Sequence, residues 1–283
     1  ATSGTTTVTS ENASHAFRCS GGGTFTNNDG TLEIQTAAQT RLKMNGTGNV
    51  HNLTVNHASC QLHMESDSST TVEGNLTITA GEVRTYTEGN SQRTLIVTGR
   101  TDIGPASGSA DQATLTCSDS PISLGSGRTS SYALIVNQGG TFAGGSGNHT
   151  IGSIETKNNS NAKCTLTSGV TTIDGENASD NYALSIEANS TFDDGNGTIT
   201  ITFAGSSRIR FNSKPVYNLI INHASATIEY VGATTIDNDL TVTAGIFRYN
   251  SFNNLTVTGD VSVTGTLGHT NVSTTSNSTF GSL

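Results

Sequence analysis

Apolar and polar residues alternate in several short segments of the chain. Leu53-Thr54-Val55, Leu76-Thr77-Ile78 and Leu255-Thr256-Val257 are three clear cases. A period of two places the aliphatic side chains on one face of a β-strand and the threonines on the other. Threonine suits the outer face because it is β-branched and polar. The pattern therefore predicts strands with one buried face.

The apolar anchors of these segments recur at a nearly regular interval. The interval is about 20 residues, which is typical of a solenoid in which each repeat forms one coil and neighbouring coils share a core. The anchors are Leu32, Leu53, Leu76, Leu95, Leu115, Leu134, Ile154, Ile173, Ile199, Leu219, Leu240, Leu255 and Leu267.

This spacing predicts an all-β fold, a parallel β-solenoid (β-helix) with about 20 residues per coil and about 14 coils. Right-handed coiling is expected, because crossovers between parallel strands strongly prefer that hand. We expect residues 1–283 to form a single elongated solenoid. Helix is not expected, since no long segment shows apolar residues at helical spacing.

A long internal duplication underlies the short repeat. Residues 50–59 read VHNLTVNHAS and residues 216–225 read VYNLIINHAS. The two copies cover about 2–104 and 167–265, and a looser section with Pro105 and Pro121 fills 105–166. A third, partial match joins Ser131-Tyr132-Ala133-Leu134 to Asn181-Tyr182-Ala183-Leu184. The chain is thus expected to be built from one repeating unit.

The composition excludes several classes of function. The net charge is −9 and the pI is about 5.1. Proteins that bind nucleic acids need clustered Lys and Arg against phosphate, so no nucleic-acid partner is expected. No apolar stretch is long enough for a transmembrane helix, so membrane insertion is not expected. With 32 Gly and only 12% charged residues, the polar surface consists mainly of Ser, Thr and Asn.

The four cysteines do not form a recognisable metal or redox motif. Cys19, Cys60, Cys117 and Cys164 are widely separated in the sequence. Zinc and redox sites use closely spaced pairs. We interpret the four as small buried side chains, and the sequence leaves open whether any of them form disulfides.

Two sets of polar residues recur with the repeat. Asn52, Asn75, Asn218 and Asn254 each precede an apolar anchor. Stacked asparagines form hydrogen-bonded ladders in cross-β structures, so a structural asparagine ladder is predicted. His57 and His223 occupy equivalent places in the two copies and are interpreted as part of the scaffold.

Candidate sites for metals and catalysis are weak. Asp193 and Asp194 lie in an acidic turn that could bind calcium, which prefers oxygen-rich loops. Glycosidases need two nearby carboxylates. Asp174 with Glu176, and Glu229 with Asp237, are the pairs considered for that role. Arg41 with Lys43 and Arg208 with Arg210 are interpreted as solvated edges. No catalytic residue and no cofactor are expected.

The longer repeat resembles a known type of protein. The segments that carry the resemblance are 191–201, 217–224, 239–245 and 254–265, which include NLIINHA, DLTVTAG and NLTVTGDVSVTG. They resemble the β-solenoid repeats of bacterial surface proteins and of marine phage tail-fibre or virion-surface proteins. The resemblance implies an elongated rod on a surface and brings no catalytic residue with it.

We therefore expect a non-enzymatic structural or adhesive protein, such as a virion fibre, a surface adhesin or an extracellular filament subunit. Neither end shows a polar capping segment, and uncapped strand edges invite pairing. The expected partners are copies of itself or adjacent repeats at the solenoid ends, and cell-surface glycans are a further candidate. The alternative is a glycan-binding or glycan-degrading β-helix spike, such as a polysaccharide depolymerase. A third hypothesis, an ice- or mineral-binding face, would need a flat threonine array.

Overall fold

The computed structural model describes residues 2–10, 15–19, 22–45, 48–66, 69–87, 91–106, 112–125, 127, 129–249, 255–269 and 278–282. Strands are the regular elements of these ranges, and the strands pair with one another in parallel. No helix in the described ranges is long and apolar enough to cross a membrane. The alternating segments thus form the parallel β-solenoid that the sequence predicts.

Each turn of the solenoid carries up to three strands, which stack on the strands of the next turn to form three faces. We name them A, B and C in the order in which the chain visits them. Five long strands bend around a corner and belong to two faces each. They are β5 (Asn52–Met64) and β7 (Leu76–Arg84) on A and B, β22 (Asn218–Val231) and β24 (Leu240–Tyr249) on C and A, and β25 (Leu255–Val263) on B and C.

The remaining strands each lie on one face. Face A contains β1 (Thr5–Val8), β3 (Thr31–Ile34), β9 (Thr101–Ile103), β12 (Leu134–Val136), β15 (Ile154–Thr156), β18 (Tyr182–Ile186), β21 (Gly205–Arg210) and β26 (Thr266–His269). Face B contains β2 (His15–Cys19), β4 (Gln39–Met44), β10 (Ala113–Thr116), β13 (Gly140–Ala143), β16 (Lys163–Thr165), β19 (Thr191–Asp193), β23 (Thr234–Ile236) and β27 (Ser278–Ser282). Face C contains β6 (Ser69–Val72), β8 (Thr94–Val97), β11 (Ile122–Leu124), β14 (His149–Ile151), β17 (Val170–Ile173) and β20 (Thr198–Ile201).

The core consists of columns of inward side chains that run along the axis. On face C, for example, Val97, Leu124 and Ile151 occupy the same register position on successive turns and are at most 1% exposed. Aromatic rings extend the core near the second copy, where Phe211 stacks on Tyr230 with ring centroids 6.1 Å apart. The alternation therefore has the expected physical basis, since every second residue of a strand enters the shared core.

The turns are fewer and longer than the sequence spacing predicts. The turns average ~23 residues, and within the described ranges face A holds twelve stacked strands, one per turn, so the prediction of 14 coils is too high. One anchor per coil is not the rule, because successive anchors such as Leu95 and Leu115 lie on different faces. Turn length also varies because loops enlarge the corners. From residue 134 to residue 154 one turn takes 20 residues, and from 101 to 134 it takes 33.

The two duplicated copies do not lie on the same face. Leu53 belongs to a face A column that passes in six steps through successive turns to Ile209. Leu219, the counterpart of Leu53, follows Ile209 and pairs with Ile199 on face C. Leu219 therefore lies six turns and two faces further along the solenoid than Leu53. Strands β10 to β16 continue the same stack through the section 105–166. Right-handed coiling stays a prediction.

Candidate functional site

A polar groove lies on the outer surface of face A, beside the middle of the chain. It is an open cavity of about 450 Å³. Its residues come from four successive turns, whose strands are β12, β15, β18 and β21. With strands about 4.8 Å apart, the groove extends for roughly 14 Å along the axis. The lining residues are Tyr132, Glu155, Ser179, Asp180, Tyr182, Ser185, Glu187, Arg208 and Arg210.

The strand register places the outward side chains of the groove floor. Glu155, Ser185 and Arg210 are partners on three neighbouring strands. Tyr182 is the partner of Arg208, and the register shifts between Tyr182 and Leu184. The shift is a β-bulge, a feature that re-aims side chains next to functional sites. The floor is therefore a rigid surface of the solenoid rather than a loop.

Two arginines are held in fixed positions against Tyr182. The guanidinium carbon of Arg208 lies 4.3 Å from the ring centroid and that of Arg210 lies 5.0 Å from it. Arg208 also donates to the backbone oxygen of Asp180 at 2.6 Å. Arg210 donates to Ser185 Oγ at 2.7 Å and to Glu187. Cation–π contacts and charge-assisted hydrogen bonds both limit the motion of these side chains.

A pair of loops forms the wall of the groove. Thr129 N donates to Glu176 O at 3.2 Å, and Ala178 N donates to Thr129 O at 2.7 Å. Ser179 Oγ donates to Ser130 O at 2.9 Å. Tyr132 follows the first loop and is 3% exposed. Burial raises the pKa of the Tyr132 hydroxyl, and a hydrogen bond with Ser185 opposes the rise.

Charges in and beside the groove nearly balance. Lys157 Nζ lies 2.6 Å from a Glu155 carboxylate oxygen, and Arg210 pairs with Glu187. Asn177 donates to the Asp180 carboxylate at 3.1 Å. Lys214 donates to the backbone oxygen of Glu187 at 2.9 Å, and burial lowers its pKa. The carboxylates therefore keep lone pairs for a ligand but carry little uncompensated charge.

The asparagines of the predicted ladder bond to backbone groups of the next turn. Asn75 N donates to Asn52 Oδ1 at 2.9 Å, and Arg100 N donates to Asn75 Oδ1 at 2.9 Å. In the second copy, Asp239 N donates to Asn218 Oδ1 at 3.1 Å. These three contacts run from side chain to backbone, and Asn218 Oδ1 also accepts a hydrogen bond from the Asn238 side chain at 2.9 Å. The two series lie on faces A and C. Asn254 lies outside the described residues.

The acidic turn binds its own backbone. Asp193 Oδ1 accepts a hydrogen bond from Gly195 N at 2.9 Å, and Asp194 Oδ1 accepts one from Asn196 N at 3.1 Å. Asp194 also accepts from Tyr217 N. Burial raises the pKa of Asp194, which the bonds from Tyr217 and Asn196 oppose. Within the described ranges, no group of three or more His, Cys, Asp or Glu side chains could hold a metal ion.

The other candidate carboxylates differ in burial or lie on different faces. Glu176 is fully buried behind the groove wall, whereas Asp174 is half-buried with a pKa raised by burial. Glu229 lies on face A and Asp237 follows a face B strand. His57 and His223 each accept a hydrogen bond from the backbone two residues later, at corners between different faces.

The two basic pairs that were interpreted as solvated edges have different surroundings in the structure. Arg41 lies on face B with its Nε 3.4 Å from a Glu65 oxygen, whereas Arg208 and Arg210 line the groove. Sequence reasoning did not assign Tyr132, Tyr182, Glu155 or Glu187 to a site. The one available signal was the match around Tyr132 and Tyr182, whose segments lie two turns apart on face A.

The cysteines are all free thiols. Cys60, Cys117 and Cys164 are buried and Cys19 is half-buried. Burial raises the pKa of Cys164 to about 12 and also raises that of Cys117.

A second cavity, mostly apolar, lies at the first described turn. Its volume is about 270 Å³. The rings of Phe17 and Phe25 meet edge to face beside it, with centroids 5.0 Å apart. Leu32 and Val50 of the following turns also line it.

Comparisons with known proteins do not assign this chain to a family. No protein-family model, no curated protein and no solved structure matches this chain.

Proposed function

We propose that this chain is a non-enzymatic structural and adhesive protein of a virion or bacterial surface, and that its solenoid is extended at its ends by further turns, either of a second copy or of adjacent repeats. The observation that carries the proposal is the open face of the first described turn, where strand edges lie beside an apolar cavity. The resemblance of the repeats to surface and fibre solenoids supports the extracellular location.

The first described strand has one neighbouring strand. Among the described residues, β1 pairs with β3, and no second strand pairing is present for β1. In a parallel ladder, alternate residues direct their N–H and C=O groups to opposite neighbours. The carbonyl oxygens of Gly4 and Val8 accept hydrogen bonds from Thr31 N at 3.0 Å and from Gln35 N at 2.8 Å. The N–H groups of Thr5 and Thr7 therefore face the open edge, which is a template for another strand.

The apolar cavity fits a further turn of the same kind. Phe17 and Phe25 would be covered by the inward side chains of a turn stacked on β1 and β2, just as each later turn covers its neighbour. Burial of such surface contributes about 25 cal/mol per Å². Edge pairing and core burial thus both favour a further solenoid turn at this end.

The last described strands offer the complementary edge. Among the described residues, β26 pairs with β24 and β27 pairs with β25, each on one side. Contact between two different ends of identical chains is heterologous, and such contacts produce open filaments when the rotation does not close. With a second copy as the partner, a filament with one chain per repeat is the expected assembly.

The test is electron microscopy of the purified chain over a range of concentrations. The expected result is rods joined end to end with an axial period of about 58 Å, because twelve strands stack on face A at a spacing of ~4.8 Å. Thr5→Pro removes an edge N–H that β3 does not use, so it should stop elongation and leave the solenoid folded. Thr5→Val keeps the N–H and is the matched control.

Separate, unjoined rods at every concentration would contradict self-assembly. Equal filament lengths for Thr5→Pro and Thr5→Val would contradict pairing through β1. Antibody labelling of native material tests the proposed location, since labelled fibres on particles or cell surfaces are expected.

A further inference from the structure

We propose that the face A groove lined by Tyr132, Tyr182, Arg208 and Arg210 is a binding site for a neutral saccharide. The site lies on the side of the solenoid, so it does not depend on the end-to-end assembly proposed above. It also does not require catalysis.

The groove is a built site, because its polar groups are fixed before a ligand arrives. Arg210 is held by Ser185 and Glu187. Arg208 is held by the Tyr182 ring and by the backbone oxygen of Asp180. Tyr132 is 3% exposed, so its position is fixed by packing. A preorganised site saves the entropy that ordering would cost on binding.

The choice of a neutral ligand follows from the charges. Three carboxylates and two guanidiniums line the groove, and Lys157 lies against Glu155. A strongly anionic group would meet Glu155, Asp180 and Glu187, whereas a cation would meet two arginines. A ligand with no net charge avoids both repulsions.

The choice of a saccharide follows from the hydrogen-bonding groups. The groove alternates donors, on Arg208 and Arg210, with acceptors, on Glu155 and Glu187. Each hydroxyl group donates one hydrogen bond and accepts others, so neighbouring hydroxyls can bridge a guanidinium and a carboxylate. Tyr182 adds a hydroxyl beside the two arginines, and this hydroxyl can both donate to and accept from a hydroxyl of the saccharide.

A peptide is disfavoured by the backbone of the groove floor. Strand β18 pairs with β15 on one side and with β21 on the other. Its backbone groups are therefore occupied, and an extended peptide cannot be added as a strand. Recognition at this surface depends on side chains alone.

The experiment screens the intact chain on a glycan array that contains neutral hexose and N-acetylhexosamine oligosaccharides beside uronate, sialylated and sulfated ones. The strongest neutral oligosaccharide is then used as the probe in calorimetric titration. Three variants are compared with the unmodified chain. Arg208→Ala removes one groove cation, Tyr182→Phe removes one hydroxyl, and Arg248→Ala removes an exposed arginine two turns away on the same face.

We expect the array to show binding of neutral oligosaccharides. Arg208→Ala should weaken the binding of the probe about tenfold, which corresponds to the loss of one strong hydrogen-bonding group. Tyr182→Phe, which keeps the ring that supports both arginines, should weaken it about threefold. Arg248→Ala should leave the affinity within about twofold, and high salt should change it little.

Binding of acidic glycans alone, or of no glycan, would overturn the proposal. So would an affinity that is the same in Arg208→Ala and Arg248→Ala. Thermal melting of each variant separates loss of the site from loss of the fold, and Tyr182→Phe provides a second reading if Arg208→Ala is unstable.

Discussion

At the scale of single residues, a few polar side chains occupy places in the apolar columns. His149 lies between Ile122 and Thr171 in an inward column of face C and is 1% exposed. Its Nε2 donates to Gly144 O at 2.7 Å, and its ring meets Phe142 edge to face. The residue is therefore part of the packing, and its protonation is coupled to folding.

The stability of the protein should fall as His149 becomes protonated. Burial lowers the pKa of His149, so the unfolded chain binds a proton more readily than the folded chain. The free energy of unfolding should decrease as the pH falls below about 6.5, by up to about 1.4 kcal/mol for each unit of pKa difference. Urea unfolding between about pH 7 and pH 5 measures this effect. His149→Gln keeps a donor but cannot titrate, so an unchanged slope in this variant would contradict the prediction.

The thiols should differ in reactivity according to their burial. Cys60, Cys117 and Cys164 are at most 1% exposed, and the raised pKa of Cys164 and Cys117 keeps the unreactive thiol form. We expect a thiol reagent to label Cys19 alone in the folded protein and all four cysteines in denaturant. Mass spectrometry counts the labels. Fast labelling of folded Cys19→Ser protein would be inconsistent with this core.

At the scale of elements, the same glycine bend occurs at corners between different pairs of faces. Gly81 bends β7 between faces A and B, and Gly245 bends β24 between faces C and A. Their φ angles are 90° and 85°. A Cβ atom would lie 2.4 Å from His57 O at Gly81 and 2.4 Å from His223 O at Gly245. The local sequence therefore determines the bend, whichever face follows it.

Glycine should be required at both bends. Gly81→Ala and Gly245→Ala introduce a side chain at positive φ and against a backbone oxygen, and each should lower the free energy of unfolding by at least about 1–2 kcal/mol. Gly268→Ala is the control, because its Cβ would lie 3.7 Å from the flexible Arg248 side chain. Chemical denaturation of the three variants gives the comparison. Equal stabilities would show that the backbone adjusts at the bends.

At the scale of the whole molecule, each turn contacts mainly the turns before and after it. Stability should therefore be nearly a sum over turns. The turns differ in length only at their corners. At the groove wall, for example, one turn of 30 residues separates residue 154 from residue 184. The stack tolerates these insertions because the inward columns stay in register.

Removal of one whole turn should leave a folded, shorter solenoid. Leu219 and Leu240 are partners on successive turns, so deletion of residues 219–239 joins Asn218 to Leu240 and keeps every later strand on its face. We expect a cooperative transition, with a denaturant m-value lower by about one twelfth, since one of about twelve turns is lost. Deletion of residues 219–228 alone shifts the later strands to other faces. A folded product from that shorter deletion would contradict the argument.

Much of the fold could be predicted from the sequence. The alternation at Leu53-Thr54-Val55 predicted which side chains enter the core, because strand geometry alone decides it. The interval between anchors predicted a parallel stack. The interval between anchors did not show how many strands each coil contains, since an anchor on face B has the same local pattern as an anchor on face C. The groove was not predicted, because its residues are separated by loops that carry no periodic signal.

The sequence by itself determined the inward and outward sides of the strands, the bends at Gly81 and Gly245, and the parallel stacking. All of these depend on interactions within a few residues or on one repeated interval. Only the tertiary structure decided that Leu53 and Leu219 lie on different faces, and that Tyr132, Tyr182 and Arg208 meet in one groove. Those outcomes depend on the summed lengths of every turn between them, which no local pattern encodes.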